Sequence, residues 1–292
     1  MLTRKKSLKI QERLGMRIGV AYGISTRPIA KSTSEALEAI TELYKIGFKA
    51  FLLPKELFYR IIEYTTIYKE HYNELLKIRN LAEKYNIELS VRFEDLPEDP
   101  FKLDSILKVF MSVASVMGCR NFIFQPNFFK MMPRDQSITL VVHKINEIMN
   151  SLNLKVTVGV ETTGKLNEVG SVEDVIEIAK RIPNAEPVIN FAHVHARGAG
   201  ALRTDSDFKH IIEKVRKDFP KFTQNSYLLF SGVKYGPSGE IKHIPFRQSD
   251  LDLNHLIKAI MTYGAKGTLI FEEPEREKSI LDTLNNLADM VR

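Results

Sequence analysis

Two glutamates and three histidines have residue types and positions that could support metal or acid-base chemistry. Glu161 and Glu272 each end a stretch that is otherwise almost wholly apolar, "KVTVGVE" and "GTLIFEE". An isolated buried carboxylate is costly, so each must be hydrogen-bonded, paired with a cation or bound to a metal ion. His193 and His195 are two residues apart after an apolar run, and His243 lies in a long loop. Carboxylate and imidazole groups are ligands of divalent metals, although a hydrogen-bonded structural role for the histidines stays open.

The elements that must position these residues form a regular alternation. Short apolar or β-branched stretches, typical of strands, are separated by longer stretches with helical periodicity. Eight strands alternating with helices predict a single-domain (β/α)8 TIM barrel, and "GISTRP" after the first strand lacks the glycine fingerprint of a doubly wound sheet. The predicted strands cover residues 17–23, 49–54, 87–93, 121–126, 155–161, 186–191, 225–232 and 267–273.

Helix ends and the domain limits follow from the same pattern. Ser34 is predicted to cap the first barrel helix and Gly47 to end it, and Ser171 with Asp174 predicts a capping box in which Asp replaces the usual Glu. Residues 1–15 are basic and are expected to be a solvated N-terminal extension. The barrel is expected to cover residues 16–292.

A barrel makes a positional prediction, because functional groups in this fold lie at the carboxyl ends of the strands and in the loops that follow them. Glu161 and Glu272 are therefore predicted to carry catalysis, as metal ligands or water activators. Other polar residues at these ends are predicted to contact the substrate. They are Arg92, Gln125, Asn190, His195, Arg197, Lys234, Tyr235 and Arg247.

The loop after the seventh predicted strand, "SGVKYGPSGEIKHIPFRQSDL", is long and has a turn signal at "GPSG". Long loops at a barrel mouth usually serve binding. Its basic side chains suit phosphate contacts, and its tyrosine suits stacking on an unpaired base or a sugar. An exposed hairpin with no binding role is the alternative.

Composition narrows the class of protein. The 292 residues carry a formal net charge of +6, and the sequence pI is about 9.1. This excess permits a polyanionic partner without requiring one. Cys119 is the only cysteine, which excludes disulfides within the chain and thiolate metal clusters. No run of 18 apolar residues and no signal-peptide pattern occurs, so a cytoplasmic protein without membrane association is expected.

Four stretches of the chain resemble the endonuclease IV family of abasic-site DNA repair enzymes, within the superfamily that includes the xylose isomerase type. The resemblance runs from Met16 onward, and the order and spacing of the four stretches fit the family. They are "VGVETTGKLNEVGS", "INFAHVHARGAGAL", "LFSGVKYGPSGEIKHIPF" and "IFEEP".

The resemblance implies a metal site at the barrel mouth. In the family, three zinc ions activate a water that hydrolyses the phosphodiester 5′ to an abasic site, a chemistry to which metal clusters are suited. By position, Glu161 matches the bridging glutamate and Glu272 the carboxylate after the last strand. His193 and His243 match two ligands of the third metal.

Five of the nine ligand positions of the family are replaced in this chain. Histidines of the family correspond to Arg92, Gln125 and Leu229, and aspartates correspond to Asn190 and Ile241. Leucine and isoleucine cannot bind a metal, and an arginine beside a metal ion would repel it. A full trinuclear zinc centre is therefore not expected. The surviving residues could hold one zinc or manganese ion, or Arg92 could neutralise the carboxylates without a metal.

The resemblance therefore implies a protein that binds DNA at abasic or distorted sites, with incision weak, altered or absent. If it cleaves, it is a metal-dependent phosphodiesterase. Two alternatives remain open from the sequence. One is a single-metal sugar isomerase or epimerase of the same superfamily, which would use Glu161 and Glu272 as its pair of carboxylates, and the other is a non-catalytic binding barrel.

Overall fold

The computed structural model describes residues 3–64, 66–93, 102–129, 131–152 and 156–287. Within these ranges eight parallel strands close into a barrel, and two further strands form a separate antiparallel hairpin. The strands are β1 (Met16–Ala21), β2 (Ala50–Leu53), β3 (Glu88–Phe93), β4 (Asn121–Phe124), β5 (Thr157–Glu161), β6 (Ala185–Asn190), β7 (Ser226–Phe230), β8 (Gly232–Gly236), β9 (Gly239–Ile244) and β10 (Gly267–Phe271).

Helices cover the outside of the barrel, as the fold class requires. Three short 3-10 turns at residues 55–58, 222–224 and 246–248 complete the described elements. The helices are α1 (Arg4–Leu14), α2 (Thr33–Ile46), α3 (Tyr59–Tyr64), α4 (Lys69–Tyr85), α5 (Leu103–Val116), α6 (Arg134–Leu152), α7 (Val172–Arg181), α8 (Phe191–Arg197), α9 (Asp205–Asp218), α10 (Leu253–Tyr263) and α11 (Glu277–Leu287).

The barrel closes where the first strand pairs with the last. The strand order is β1-β10-β7-β6-β5-β4-β3-β2, and β1 pairs with β10 in parallel from Met16 opposite Gly267 to Val20 opposite Phe271. The strands are almost wholly buried, because helices cover one side and the packed interior fills the other. The predicted TIM barrel is confirmed, and a barrel strand lies at each of the eight predicted positions.

The local helix signals are confirmed with one change. Gly47 ends α2 in the left-handed conformation at φ 86°, where glycine has no Cβ penalty. Ser171 and Asp174 form the predicted capping box, each side chain accepting a hydrogen bond from the other residue's backbone N–H. The cap of α2 is Ser32 rather than Ser34, since the Ser32 hydroxyl accepts from the Glu35 N–H.

The N-terminal segment is not the solvated extension that its charge suggested, because residues 4–14 form α1 and pack on the barrel. Gln11 is buried, its amide nitrogen donates to the Gly47 carbonyl at 2.7 Å, and its amide oxygen accepts from the Ile18 N–H at 2.8 Å. Ser7, Ile10 and Leu14 are buried on the same face, at helical spacing. The basic side chains occupy the solvent face, which is why composition alone suggested a tail.

None of the helices within the described ranges combines the length and the apolar character needed to cross a lipid bilayer.

Candidate metal and anion site

Arg92 lies at the centre of the barrel mouth. It leaves β3 with 5% of its surface exposed and reaches carboxylates from two other strands. Its Nη1 donates to Glu161 Oε1 at 3.1 Å and to Oε2 at 3.3 Å, while its Nη2 contacts Glu272 Oε1 and the Tyr22 hydroxyl. Both carboxylates are fully buried. The cationic partner that these glutamates need is therefore a guanidinium supplied by the chain itself.

Tyr22 and Asn190 complete the hydrogen bonds of the two carboxylates. The Tyr22 hydroxyl donates to Glu272 Oε1 at 2.8 Å. The backbone of Tyr22 is in the left-handed region at φ 72°, a strained conformation that is common at functional sites. The Asn190 amide nitrogen lies 3.0 Å from Glu161 Oε1 and 2.7 Å from Glu272 Oε2. Its amide oxygen caps α8 through the N–H groups of Ala192 and His193, so the start of this helix fixes the position of the amide.

The two carboxylates differ in electrostatic environment. Burial raises the pKa of Glu161 above its ordinary value, although Arg92 and His193 oppose the shift. Burial alone would also raise the pKa of Glu272, but the attraction of Arg92 and His243 outweighs it and holds that pKa well below its usual range. Glu272 is therefore the more firmly ionised of the pair.

His193 and His243 approach each other at the same mouth. His193 Nδ1 donates to the Thr162 carbonyl at 2.6 Å, which fixes the orientation of the ring and leaves Nε2 turned toward the mouth. The two imidazole rings are 5.7 Å apart between centroids. His243 Nε2 is buried and has no hydrogen-bond partner among the described residues. A buried ring nitrogen without a hydrogen-bond partner is a group that a metal ion would satisfy.

One group of possible metal ligands results. His193, His243 and Glu272 each offer one ligand atom, and these atoms all lie within 4.8 Å of one another. Glu161 is outside this group and faces Arg92, so its role as a ligand stays a prediction. The donor set fits a single divalent ion, because two nitrogens and a carboxylate oxygen suit zinc. Arg92 stands between Glu161 and Glu272, so three ions do not fit.

The long loop after β7 is the hairpin formed by β8 and β9. It carries His243 and also Glu240, which lies between the two imidazoles, its Oε2 3.2 Å from His193 Nε2 and its Oε1 3.3 Å from His243 Nε2. Burial alone would lower the pKa of His193, but Glu240, Glu161 and Glu272 raise it above its ordinary value. Burial lowers the pKa of His243. The two imidazoles therefore differ in environment, since the surrounding carboxylates favour the charged form of His193 and burial favours the neutral form of His243.

His195 and Tyr235 do not join this cluster. His195 is fully buried on α8, where its Nδ1 accepts from the Leu202 N–H and its Nε2 lies 3.1 Å from Asp250 Oδ1. The Tyr235 hydroxyl donates to Asp250 Oδ2 at 2.7 Å, and its ring packs edge-on against His195. These contacts fasten the hairpin to α8. The predicted substrate contacts of both residues stay predictions.

The other predicted substrate contacts lie around the mouth. Arg197 donates to the Thr163 hydroxyl at 3.2 Å and to backbone carbonyls of the loop after β5, and it lines a cavity of about 220 Å³ between the loops after β4 and β5. Gln125 is half-buried just after β4, and Lys234 is exposed on β8. Arg247 is 73% exposed and pairs with Glu275.

Sequence reasoning missed Glu240 as a member of the site, and it left Tyr22 out of the predicted substrate contacts although the tyrosine lies at the end of β1. Two residues before His243, where the family resemblance places an aspartate, the chain has Ile241, whose side chain is 60% exposed. The carboxylate of this chain belongs to Glu240, one residue before Ile241. Its signal was the turn at "GPSG" next to an acidic residue and a histidine, but the face on which Glu240 lies depends on the hairpin register.

Comparison with known proteins places the chain in a family. The protein-family model described as "Xylose isomerase-like TIM barrel" matches residues 40–290 of the chain. The chain belongs to this family of TIM barrels. An uncharacterized protein of Methanocaldococcus jannaschii is 26% identical over 270 residues, covering 90% of this chain and 95% of that protein.

Solved structures with this fold include an endonuclease and an epimerase-like protein. SacUVDE aligns with a TM-score of 0.67 and 14% identity over 94% of this chain and 99% of its own. Endonuclease IV from Thermus thermophilus aligns with a TM-score of 0.65 and 12% identity, over 94% of this chain and 98% of its own. A D-tagatose 3-epimerase-like protein aligns with a TM-score of 0.61 and 14% identity, also over 94% of this chain and 98% of its own. At these identities the likeness shows the fold alone, so the endonuclease IV resemblance stands only as membership of the wider family.

Proposed function

We propose that the barrel mouth binds DNA at abasic or distorted sites, with one divalent metal ion, zinc or manganese, at His193, His243 and Glu272. Incision of the phosphodiester is weak or absent. The hairpin of β8 and β9 supplies the phosphate contacts, and the ligand group beside it faces the same mouth.

The observation that carries the proposal is a lysine pair on the hairpin. Lys234 lies directly opposite Lys242 in the antiparallel register, and both side chains are exposed. Like charges directly opposite each other destabilise a strand pair. A DNA backbone carries closely spaced phosphates that would relieve this repulsion and release counterions on binding. A neutral sugar offers no such compensation.

Weak incision follows from the contacts of the catalytic carboxylates. In a metal-assisted hydrolysis the bound ion would polarise the phosphate and activate water. Glu161, the residue predicted to activate water, is held by Arg92 and Asn190. Both oxygens of Glu161 already accept hydrogen bonds from Arg92, so a water would have to compete with this guanidinium for them.

The same contacts weigh against a sugar isomerase or epimerase. Such an enzyme would use Glu161 and Glu272 together to bind the metal and move protons, whereas Glu161 lies outside the ligand group and both of its oxygens contact Arg92. Leu229 is also fully buried in the apolar interior on β7, where it offers no ligand.

The test is equilibrium binding of a fluorescent duplex with one abasic site, measured over a range of salt concentrations. We expect affinity to fall steeply as salt rises, and the double variant Lys234→Gln, Lys242→Gln to reduce the slope of log K against log salt by about two. Glu213→Gln with Lys217→Gln, on the exposed side of α9, is the control. Salt-independent binding, or a slope that the double variant does not change, would contradict the proposal.

Incision of the same duplex is a second readout. If cleavage is detected, Glu161→Gln is expected to abolish it while leaving DNA affinity unchanged, because the Glu161 side chain is fully buried. Unchanged cleavage in this variant would remove Glu161 from the mechanism. Elemental analysis of the purified protein should accompany this assay. A metal content near three zinc ions per chain would contradict the single-metal site.

A further inference from the structure

We infer that Glu240 is a fourth protein ligand of the metal ion, beside His193, His243 and Glu272. The inference rests on the single-metal site of the proposed function and extends it to a residue outside the predicted ligand set. Both carboxylate oxygens of Glu240 face imidazole nitrogens, at 3.2 Å from His193 Nε2 and 3.3 Å from His243 Nε2. A carboxylate and two imidazoles that converge in this way present three ligands, of two types that zinc accepts in one tetrahedral shell.

A β-bulge brings Glu240 and His243 to one face of β9. Residues three apart on a regular strand point to opposite faces, because side chains alternate. In this hairpin Lys234 pairs with Lys242, but the next residue, Tyr235, pairs with Glu240, so Ile241 is an extra residue without a partner. One extra residue shifts the alternation, and bulges of this kind re-aim side chains beside active sites. Glu240 and His243 therefore face the mouth together while Ile241 is 60% exposed.

The start of β9 is fixed against the loop that follows β5. The Glu240 N–H donates to the Gly164 carbonyl at 2.9 Å, and Gly239 forms an isolated antiparallel bridge with Lys165. Gly164 has no side chain, which makes room for the carboxylate, since a Cβ there would lie 2.1 Å from Glu240 Oε2 and 2.6 Å from Glu240 Cβ. The position of Glu240 is thus set by the barrel and does not depend on the hairpin tip.

His243 gives an independent indication of a ligand. Its Nε2 is buried and, among the described residues, has no hydrogen-bond partner, because Glu240 lies at an ionic distance but out of line for a hydrogen bond. A nitrogen left in this way is costly unless another group satisfies it. A metal ion between the imidazoles and Glu240 would do so.

A fourth protein ligand has a chemical consequence. Sites with three protein ligands keep a position for water or substrate, whereas sites with four are closed. Glu240 would therefore complete the ligand shell, balance the charge of the ion together with Glu272, and leave no place for an activated water. A closed site of this kind would hold the hairpin on the barrel, because Glu240 and His243 lie on β9, and it agrees with weak or absent incision.

The test is a zinc titration of the full-length protein against a chromophoric chelator. We expect one zinc ion per chain, and a loss of affinity of about tenfold or more in Glu240→Gln, which keeps the shape of the side chain and removes its charge. Glu213→Gln, an exposed carboxylate on α9 that pairs with Arg216, is the matched control and should bind zinc as the unmodified protein does. Cobalt substitution gives a second readout, because loss of a carboxylate ligand changes the visible absorption of the bound ion.

Gly164→Ala is the second variant, because it keeps every ligand and displaces only Glu240. It should lose zinc affinity in the same direction while the circular dichroism of the barrel is unchanged. Failure of the unmodified protein to bind zinc, or a Glu240→Gln variant that binds it within about twofold of the original affinity, would overturn the inference. If zinc binding follows the expected order but the abasic duplex is not bound, the proposed DNA function fails while the assignment of Glu240 stands.

Discussion

At the scale of single residues, Arg92 decides the character of the mouth. It fills the space between Glu161 and Glu272 with a guanidinium, whose planar fork suits carboxylates on two sides. The sequence indicated this pairing as one of two ways to neutralise the carboxylates. The structure has that arrangement and, beside it, a separate ligand group at the histidines.

Removal of Arg92 should show how much the fold depends on it. Arg92→Met leaves two buried carboxylates without their cation, which we expect to lower the free energy of unfolding by about 3–5 kcal/mol. Arg247→Met is the control, because Arg247 is 73% exposed and its pair with Glu275 should contribute about 1 kcal/mol or less. Urea denaturation followed by circular dichroism measures both. Equal effects of the two substitutions would show that the central pair is not needed for stability.

Glu273, next to the site, should give the protein a pH-dependent stability. Its side chain is buried, its Oε1 has no hydrogen-bond partner in the described part of the chain, and burial raises its pKa to about 7. The folded state therefore holds a proton that the unfolded state has lost above about pH 4.3. The stabilising effect of this proton is present at low pH and is lost as pH rises through about 7.

The variant Glu273→Gln isolates this effect. Between pH 5 and 8 the difference in melting temperature between the variant and the unmodified protein should grow with pH, in favour of the variant. The difference is used because other groups titrate equally in both proteins. Melting curves that stay parallel across this range would show that Glu273 does not titrate there.

At the scale of elements, α1 and the β8–β9 hairpin are the two additions that matter to the barrel. The helix packs Gln11 against Ile18 and Gly47, and the hairpin carries His243, Glu240 and the lysine pair. The sequence predicted a solvated extension for the first and, for the second, a binding loop with an exposed hairpin as the alternative. Charge alone did not reveal that each has a buried side, because that side is made of only a few residues at helical or bulged-strand spacing.

Gln11 tests whether α1 is part of the folded unit. Gln11→Leu leaves the Ile18 N–H and the Gly47 carbonyl without their side-chain partner, and we expect a loss of about 1–3 kcal/mol in the free energy of unfolding. Lys9→Ala, at an exposed position of the same helix, should change little. Thermal or urea unfolding of both variants is the measurement. A solvated tail would show no difference between them.

At the scale of the whole molecule, closure of the barrel assembles the site from distant parts of the chain. Arg92 meets Glu161 across 69 residues of sequence and Glu272 across 180, while Asn190 meets Glu161 across 29. These contacts form because parallel strands place their carboxyl ends at one edge. Once the barrel was predicted, the placement of these residues at one mouth could be predicted as well.

The sequence by itself determined the barrel and the residues at its mouth, because alternating strands and helices leave few arrangements that bury both, and each strand end then has a known place. Only the tertiary structure decided which of those residues meet. His195 faces Asp250 instead of His193, since a helix rather than a strand begins at Phe191. Glu240 joins the histidines because one unpaired residue, Ile241, reverses the alternation of β9. That register depends on pairing with β8 and docking on Gly164, contacts between segments that local sequence does not specify.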